Sequence, residues 1–161
     1  MDQGIFYKTR VTIWLERNTN VDWVDNISNW RSTFGVVFSL GSGAISWSSK
    51  KQPTVALSST EAKYRGMTRA TYKAIWLKQL LKHFNELVNK PIRIYHNNPS
   101  SIQLAQNPVF HAWTKHIEVH YHYVQEHINA RDIDLQNVGA NQQTTNSFTK
   151  ALRADKFHSF P

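Results

Sequence analysis

Cysteine is absent from this 161-residue chain. That excludes disulfides and thiolate chemistry and makes a cytosolic or nuclear setting the expectation. No apolar run approaches the length of a membrane span, and the first residues carry no signal-peptide pattern, so no membrane association is expected. Acids are few, eleven against nineteen Lys and Arg, and none reads as a carboxylate at a strand tip ahead of a helix. A Gly-rich phosphate loop, a P-loop and a nucleophile elbow are all missing. Lys and Arg nowhere form a block longer than two or three residues, which excludes a basic tail.

What is present describes a globular α/β domain. Hydrophobic residues make up 40% and aromatics 12% of the chain, enough for a sizeable core in one domain. The formal net charge is +8 and the pI about 9.8. Such a balance fits a polyanionic partner and equally an ordinary basic domain. Residues 1–10 read as a leader or linker remnant and residues 11–161 as the domain. No repeat or low-complexity tract divides them, and a monomer is assumed.

Residues 12–21 are compatible with a strand, although Arg17-Asn18-Thr19-Asn20 is unusually polar for one. Val36, Phe38 and Leu40 alternate, Gly41-Ser42-Gly43 turns the chain, and Ile45 and Trp47 alternate again, which is a hairpin pattern. Ser58-Ser59-Thr60-Glu61 reads as a capping box, with Ser58 accepting from the backbone and Glu61 reaching back. Met67, Ala70, Ala74, Leu77, Leu81 and Phe84 then follow at helical spacing. One step before that stripe stands Lys63, which helix geometry alone makes a lysine snorkelling at the rim. Beyond Pro91 come a strand at 92–96, then Asn98 and Pro99 as cap and first residue of a helix through Ala105. A histidine-rich helix at 115–129, a strand at 132–138 and a last helix at 142–152 complete an α/β order with a mixed sheet.

The histidines offer a metal-ligand spacing. His116 and His120 lie four apart, as do His122 and Glu126. With no H-E-x-x-H motif beside them, surface or packing roles are the expectation.

The stretches Arg31-Ser32-Thr33-Phe34-Gly35, Gly43-Ala44-Ile45-Ser46-Trp47-Ser48-Ser49-Lys50-Lys51-Gln52, Val55-Ala56-Leu57-Ser58-Ser59-Thr60-Glu61-Ala62, Asn107-Pro108-Val109-Phe110-His111 and Thr114-Lys115-His116-Ile117-Glu118-Val119 together closely resemble the ribonuclease H domain of copia-type retrotransposon Pol polyproteins. The resemblance runs over nearly the whole chain. It implies a ribonuclease H-like fold: a five-stranded mixed sheet, its first three strands antiparallel, with helices on both faces. It also implies cleavage of the RNA strand of an RNA–DNA hybrid, for which the family uses four carboxylates to hold two Mg²⁺ ions.

Carried over position by position, the acids implied by the resemblance are all replaced. The family's Asp-Ala-Asp-Trp reads Asn20-Val21-Asp22-Trp23 here, putting Asn20 at the first metal-binding position. Its Thr-Glu-Ala-Glu-Tyr reads Thr60-Glu61-Ala62-Lys63-Tyr64, with Lys63 in the catalytic place. Its Asp-Asn pair reads Asn97-Asn98, and its Ala-Asp reads Thr145-Asn146. Lys63 thereby gains a second meaning, as the occupant of a former ligand position. Asp→Asn and Glu→Lys each follow from one G-to-A change in a codon. Gly→Arg at Arg17 and Ala→Thr at Thr145 fit the same class, the pattern of cytosine deamination in a silenced element. Part of the net positive charge therefore reflects lost carboxylates.

No nuclease activity and no bound cofactor are expected from such a chain. The competing expectation is a retained binding module for hybrid or duplex nucleic acid, with Arg31, Lys50, Lys51, Ser58 and Thr60 as phosphate contacts. An enzyme working through other acids, such as Asp22 and Glu61, is disfavoured because Glu61 is committed to a helix cap.

Overall fold

Alternating burial on the first strand sets the architecture, because a period-two strand exposes one row of side chains to each face of a sheet. The computed structural model describes residues 7, 15–22, 30–86, 88–107, 118–139, 145, 148 and 149. In chain order these form β1 (Leu15–Asp22), β2 (Thr33–Leu40), β3 (Gly43–Lys51), α1 (Ser59–His83), β4 (Ile92–His96), α2 (Pro99–Gln106), α3 (Glu118–Asn129) and β5 (Ile133–Asn137). The five strands make one mixed sheet in the order β3-β2-β1-β4-β5. β1, β2 and β3 pair antiparallel, whereas β4 runs parallel to β1 and β5 parallel to β4. No helix among the described residues is long and apolar enough to cross a membrane.

The hairpin expected around Gly41 joins β2 to β3, with Gly41 at φ 60°, a left-handed conformation that favours glycine. Tyr7, the one described residue of the expected leader, donates its hydroxyl to Ala44 O at 2.7 Å.

α1 begins where the capping pattern placed it. Ser58 Oγ accepts from the Glu61 N–H at 3.1 Å. Glu61 reaches one residue further back than expected and accepts from the Leu57 N–H at 2.8 Å. Glu61 also pairs with Arg65 at 2.7 Å. Met67, Ala70, Ala74 and Leu77 are buried as the stripe requires. Phe84 departs from it. The helix ends at His83, so Phe84 serves as the C-cap and is 70% exposed. α2 starts as expected, with Asn98 Oδ1 accepting from the Ser101 N–H at 2.7 Å and Pro99 in the first turn. The strand expected at 132–138 is shortened to Ile133–Asn137. Residues 12–14 and 115–117, along with His116 and most of the expected last helix, lie outside the described residues.

α1 packs on one face of the sheet closely enough that a Cβ at Gly66 would meet Val21 Cγ2 at 2.3 Å. Leu15, Arg17, Thr19 and Val21 belong to that same row of β1 and are buried, together with Phe34, Phe38, Ile92, Ile94, Met67, Tyr64 and Val124. The opposite face is covered near Gly35, where an added Cβ would meet Phe148 Cβ at 2.8 Å and Thr149 Cγ2 at 2.9 Å. The first helix and the described C-terminal residues thus lie on opposite faces. Lys78 and His127 both reach Asp132, at 2.8 and 2.9 Å, and tie α1 and α3 to the start of β5.

Arg17 is the anomaly of this core. It is fully buried, and its Nε and both terminal nitrogens have no hydrogen-bond partner among the described residues. Its guanidinium lies over the Phe38 ring, 4.8 Å from the centroid. Desolvation by burial holds its pKa well below the usual arginine value. A desolvated cation–π contact contributes about 2 kcal/mol, whereas removing a charge from water costs several kcal/mol even after relaxation. The cost wins. Arg17→Met, which keeps length and removes the charge, is expected to raise the unfolding free energy by about 1–4 kcal/mol, measured by urea denaturation. Arg17→Lys should give no such gain. An Arg17→Met chain that unfolds at the same or lower urea would show that the guanidinium is compensated.

Candidate functional site

Parallel pairing of β1 with β4 brings the carboxyl ends of the two strands together at one end of the sheet, where open α/β sheets place their sites. Thr19 pairs with His96, so the residues just beyond, Asn20 and Asn97, become neighbours. Asn97 Nδ2 donates to Asn20 Oδ1 at 3.1 Å. Asn20 Nδ2 in turn donates to Thr149 Oγ1 at 3.1 Å. Asn20 is buried and Asn97 half-buried. The chain Asn97–Asn20–Thr149 therefore links β4, β1 and the C-terminal segment through neutral groups.

Lys63 approaches from the first turns of α1 and is half-buried between buried Ala62 and Tyr64. Its charge reaches His96, the residue before Asn97. His96 is fully buried, and burial first, then Lys63, then Arg17 depress its pKa from 6.5 to about 4. Neither ring nitrogen makes a well-formed hydrogen bond among the described residues, though the Thr19 backbone favours the charged ring slightly. Three of the four positions singled out in the sequence thus gather at one end of the sheet, Asn20 touching Asn97 and Lys63 beside His96. The fourth, Asn146, lies outside the described residues, between the described Thr145 and Thr149.

A pair of hard divalent cations needs charged oxygen donors. The residues present do not fit that requirement. When two amides touch, one carbonyl is spent on the partner's N–H whichever way each amide is turned. Asn97 Oδ1 is buried with no partner among the described residues, a single neutral acceptor. Lys63 adds a positive charge where a ligand would have to be negative. The described histidines supply no substitute, since the described residues contain no group of three potential metal ligands. His120 meets the edge of Tyr72, His122 packs against Tyr121, and His127 is committed to Asp132.

The cationic residues singled out in the sequence lie at this same end. Lys50 and Lys51 close β3 opposite Phe34 and Thr33, Arg31 precedes β2, and all three are exposed. Gln52 Nε2 donates to Ala62 O at 2.8 Å and fastens the end of β3 to α1. Ser58 and Thr60 follow at that helix's start. Ser58 is the cap, and the Thr60 carbonyl accepts from the Ser101 hydroxyl at 3.3 Å. Sequence reasoning missed His96, Thr149 and Arg17 as neighbours of the site. The one available signal was the polarity of Arg17-Asn18-Thr19-Asn20 within a strand.

The chain is 35% identical over 159 residues to the retrovirus-related Pol polyprotein from transposon RE2 of Arabidopsis thaliana, covering 99% of this chain and 11% of that protein. It is 36% identical over 143 residues to the Pol polyprotein from transposon TNT 1-94 of Nicotiana tabacum, covering 89% of this chain and 11% of that protein. The chain therefore spans about a tenth of the length of the relatives it matches. No protein-family model matches it. Among solved structures, the N-terminal RNase H domain of rv2228c from Mycobacterium tuberculosis superposes with a TM-score of 0.60 at 10% identity, covering 86% of this chain and 91% of that one. LC11-RNase H1, solved in complex with an RNA/DNA hybrid, gives 0.56 at 13% identity, covering 85% and 93%. At identities this low, the TM-scores establish a shared fold and no more.

His96 makes stability depend on pH in a calculable direction. Its folded pKa of about 4 lies below the 6.5 of an unfolded histidine, so between those values the unfolded chain binds the extra proton. Stability present above pH 6.5 is lost as the pH falls toward 4, by about 3 kcal/mol from this residue. His96→Leu should remove that part of the slope in urea titrations across the window. A variant with the wild-type slope would mean that His96 does not titrate there.

Proposed function

We propose that this ribonuclease H-like domain, whose homologues are the retrovirus-related Pol polyproteins of copia-type transposons, is catalytically inactive and binds no catalytic metal. The supporting observation is the Asn97–Asn20 amide bond, formed between the positions that the resemblance assigns to metal-holding carboxylates. Two neutral amides and a lysine leave no negative charge to offset the stripping of water from Mg²⁺. Coulomb's law sets the scale. An ammonium about 4 Å from a dication repels it by roughly 8 kcal/mol at an effective dielectric near 20. A single neutral carbonyl does not offset a term of that size. Glu61 does not restore the chemistry, because it accepts from the Leu57 N–H and pairs with Arg65, and Asp22 alone is one carboxylate where two cations need several.

A second reading concerns binding. Arg31, Lys50 and Lys51 are exposed on the same end of the sheet as the start of α1, and a structural neighbour of the same fold is solved with an RNA/DNA hybrid. A grip on the phosphates of a hybrid uses cations and backbone amides and needs no metal. On this reading the inactive domain still binds RNA–DNA hybrid more tightly than single strands, with affinity falling steeply as salt rises.

The decisive assay incubates a labelled RNA–DNA hybrid with the chain and Mg²⁺ or Mn²⁺. No cleavage above background is expected. Restoring acids at all four positions (Asn20→Asp, Lys63→Glu, Asn97→Asp and Asn146→Asp together) should recover metal binding, whereas a triple variant retaining Lys63 should not. RNA-strand cleavage by the unaltered chain that disappears in Asp22→Ala or Glu61→Ala would overturn the proposal. Equal, weak binding to every polyanion tested would remove the second reading alone.

A further inference from the structure

A cavity lies away from the amide pair, between the connection after β3, α1 and α3. It encloses about 400 Å³ and is lined by Gln52, Pro53 and Thr54 from the connection after β3, Arg65, Thr68 and Arg69 from α1, and His120 from α3. Its volume falls in the range of small-ligand sites, roughly 300–1,000 Å³. The helical spacing of 65, 68 and 69 stacks their side chains on one face of α1.

Each polar group is oriented by a neighbour. Arg65 is braced by the Glu61 carboxylate at 2.7 Å and by the Thr54 hydroxyl. A guanidinium carries five N–H donors, so this bracing leaves donors to spare. Arg69 rests over the Phe34 ring, 5.4 Å from its centroid, and is otherwise exposed. The Thr68 hydroxyl donates to Tyr64 O at 3.1 Å. Glu61 offsets one of the two arginine charges, so the lining keeps a positive excess.

Gln52 supplies an independent indication. It is 2% exposed, its Nε2 is held by Ala62 O, and its Oε1 has no hydrogen-bond partner among the described residues. A buried acceptor without a donor costs about 1–3 kcal/mol, which a ligand hydroxyl or amine would relieve. Fork-shaped arginine donors match phosphate oxygens. A group that is anionic on one side and carries a hydroxyl on the other satisfies both requirements.

We propose that this cavity binds the phosphoryl group of a nucleotide, with Arg65 and Arg69 on the phosphate and Gln52 accepting from a neighbouring hydroxyl or amine. The inference does not rest on the reading of the amide pair, because it uses none of those residues. The nucleotide is either free or the phosphorylated end of a strand.

The test follows the NMR signals of the intact chain during titration with AMP, inorganic phosphate and, at matched ionic strength, chloride. Saturable shifts are expected at residues 52–54, 65, 68, 69 and 120 with AMP, and not with chloride. Arg69→Gln should weaken AMP binding about tenfold, the loss of one charge-assisted hydrogen bond, and Arg69→Lys should recover part of it. A 5′-phosphorylated oligonucleotide that displaces AMP, where the unphosphorylated one does not, assigns a strand end. Failure of both to displace AMP assigns a free nucleotide. Absent or non-saturating shifts, or equal shifts with chloride, would overturn the proposal. That comparison uses the unaltered chain and so holds even if Arg69→Gln misfolds.

Discussion

The parallel ladder between β1 and β4 is the constraint on which the site and the core both depend. Its register sets Arg17 against Ile94 and Thr19 against His96. Because side chains alternate along each strand, this register sends Arg17, Thr19, Ile94 and His96 toward α1, and Asn20 and Asn97 toward the other face. A slip of one residue would exchange the two sets. Buried Leu15 and Val21 on β1 and Ile92 and Ile94 on β4 oppose such a slip, because it would expose them. The same apolar burial that drives folding therefore aligns the amides, and it also forces Arg17 inside. A strand cannot turn one side chain outward without turning its whole row.

Much of this was legible in the residues because it depends on short-range chemistry. The hairpin, the Ser58 cap of α1, and Asn98 with Pro99 at the start of α2 are each set by a few adjacent residues whose hydrogen bonds close locally. Phe84 was misread because helical spacing says where a residue would face if the helix continued, and not where the helix stops. The Glu61 carboxylate was assigned to the right turn and the wrong amide, a difference of one residue that only the path of the incoming chain decides.

The candidate site was legible for a different reason. Asn20, Lys63 and Asn97 are ordinary residues by composition and spacing, and only the resemblance gave their positions meaning. Their surroundings come from other segments. Thr149 and His96 are brought in by tertiary contacts across up to 129 positions of sequence, which no local pattern encodes. The cavity beside α1 escaped for the same reason, since it combines three separate segments. Arg65 and Arg69, read alone, are two basic residues on a helix, which usually means a solvated face.

Polar groups brought inside have opposite physical consequences at two places in this molecule. A site that holds several carboxylates close together is held together by its metal. Without the metal the carboxylates repel one another, each raising its neighbour's pKa. Neutral amides at Asn20 and Asn97 raise no such repulsion and bond directly to each other and to Thr149, so this end of the sheet closes at little cost in folding. Arg17 is the converse. It puts a charge into the centre of the core, and His96, whose pKa burial lowers first, is pushed down further by Lys63 and then by Arg17. The burden on this fold therefore comes from a residue of its core, Arg17, rather than from the bonded amides at the end of the sheet.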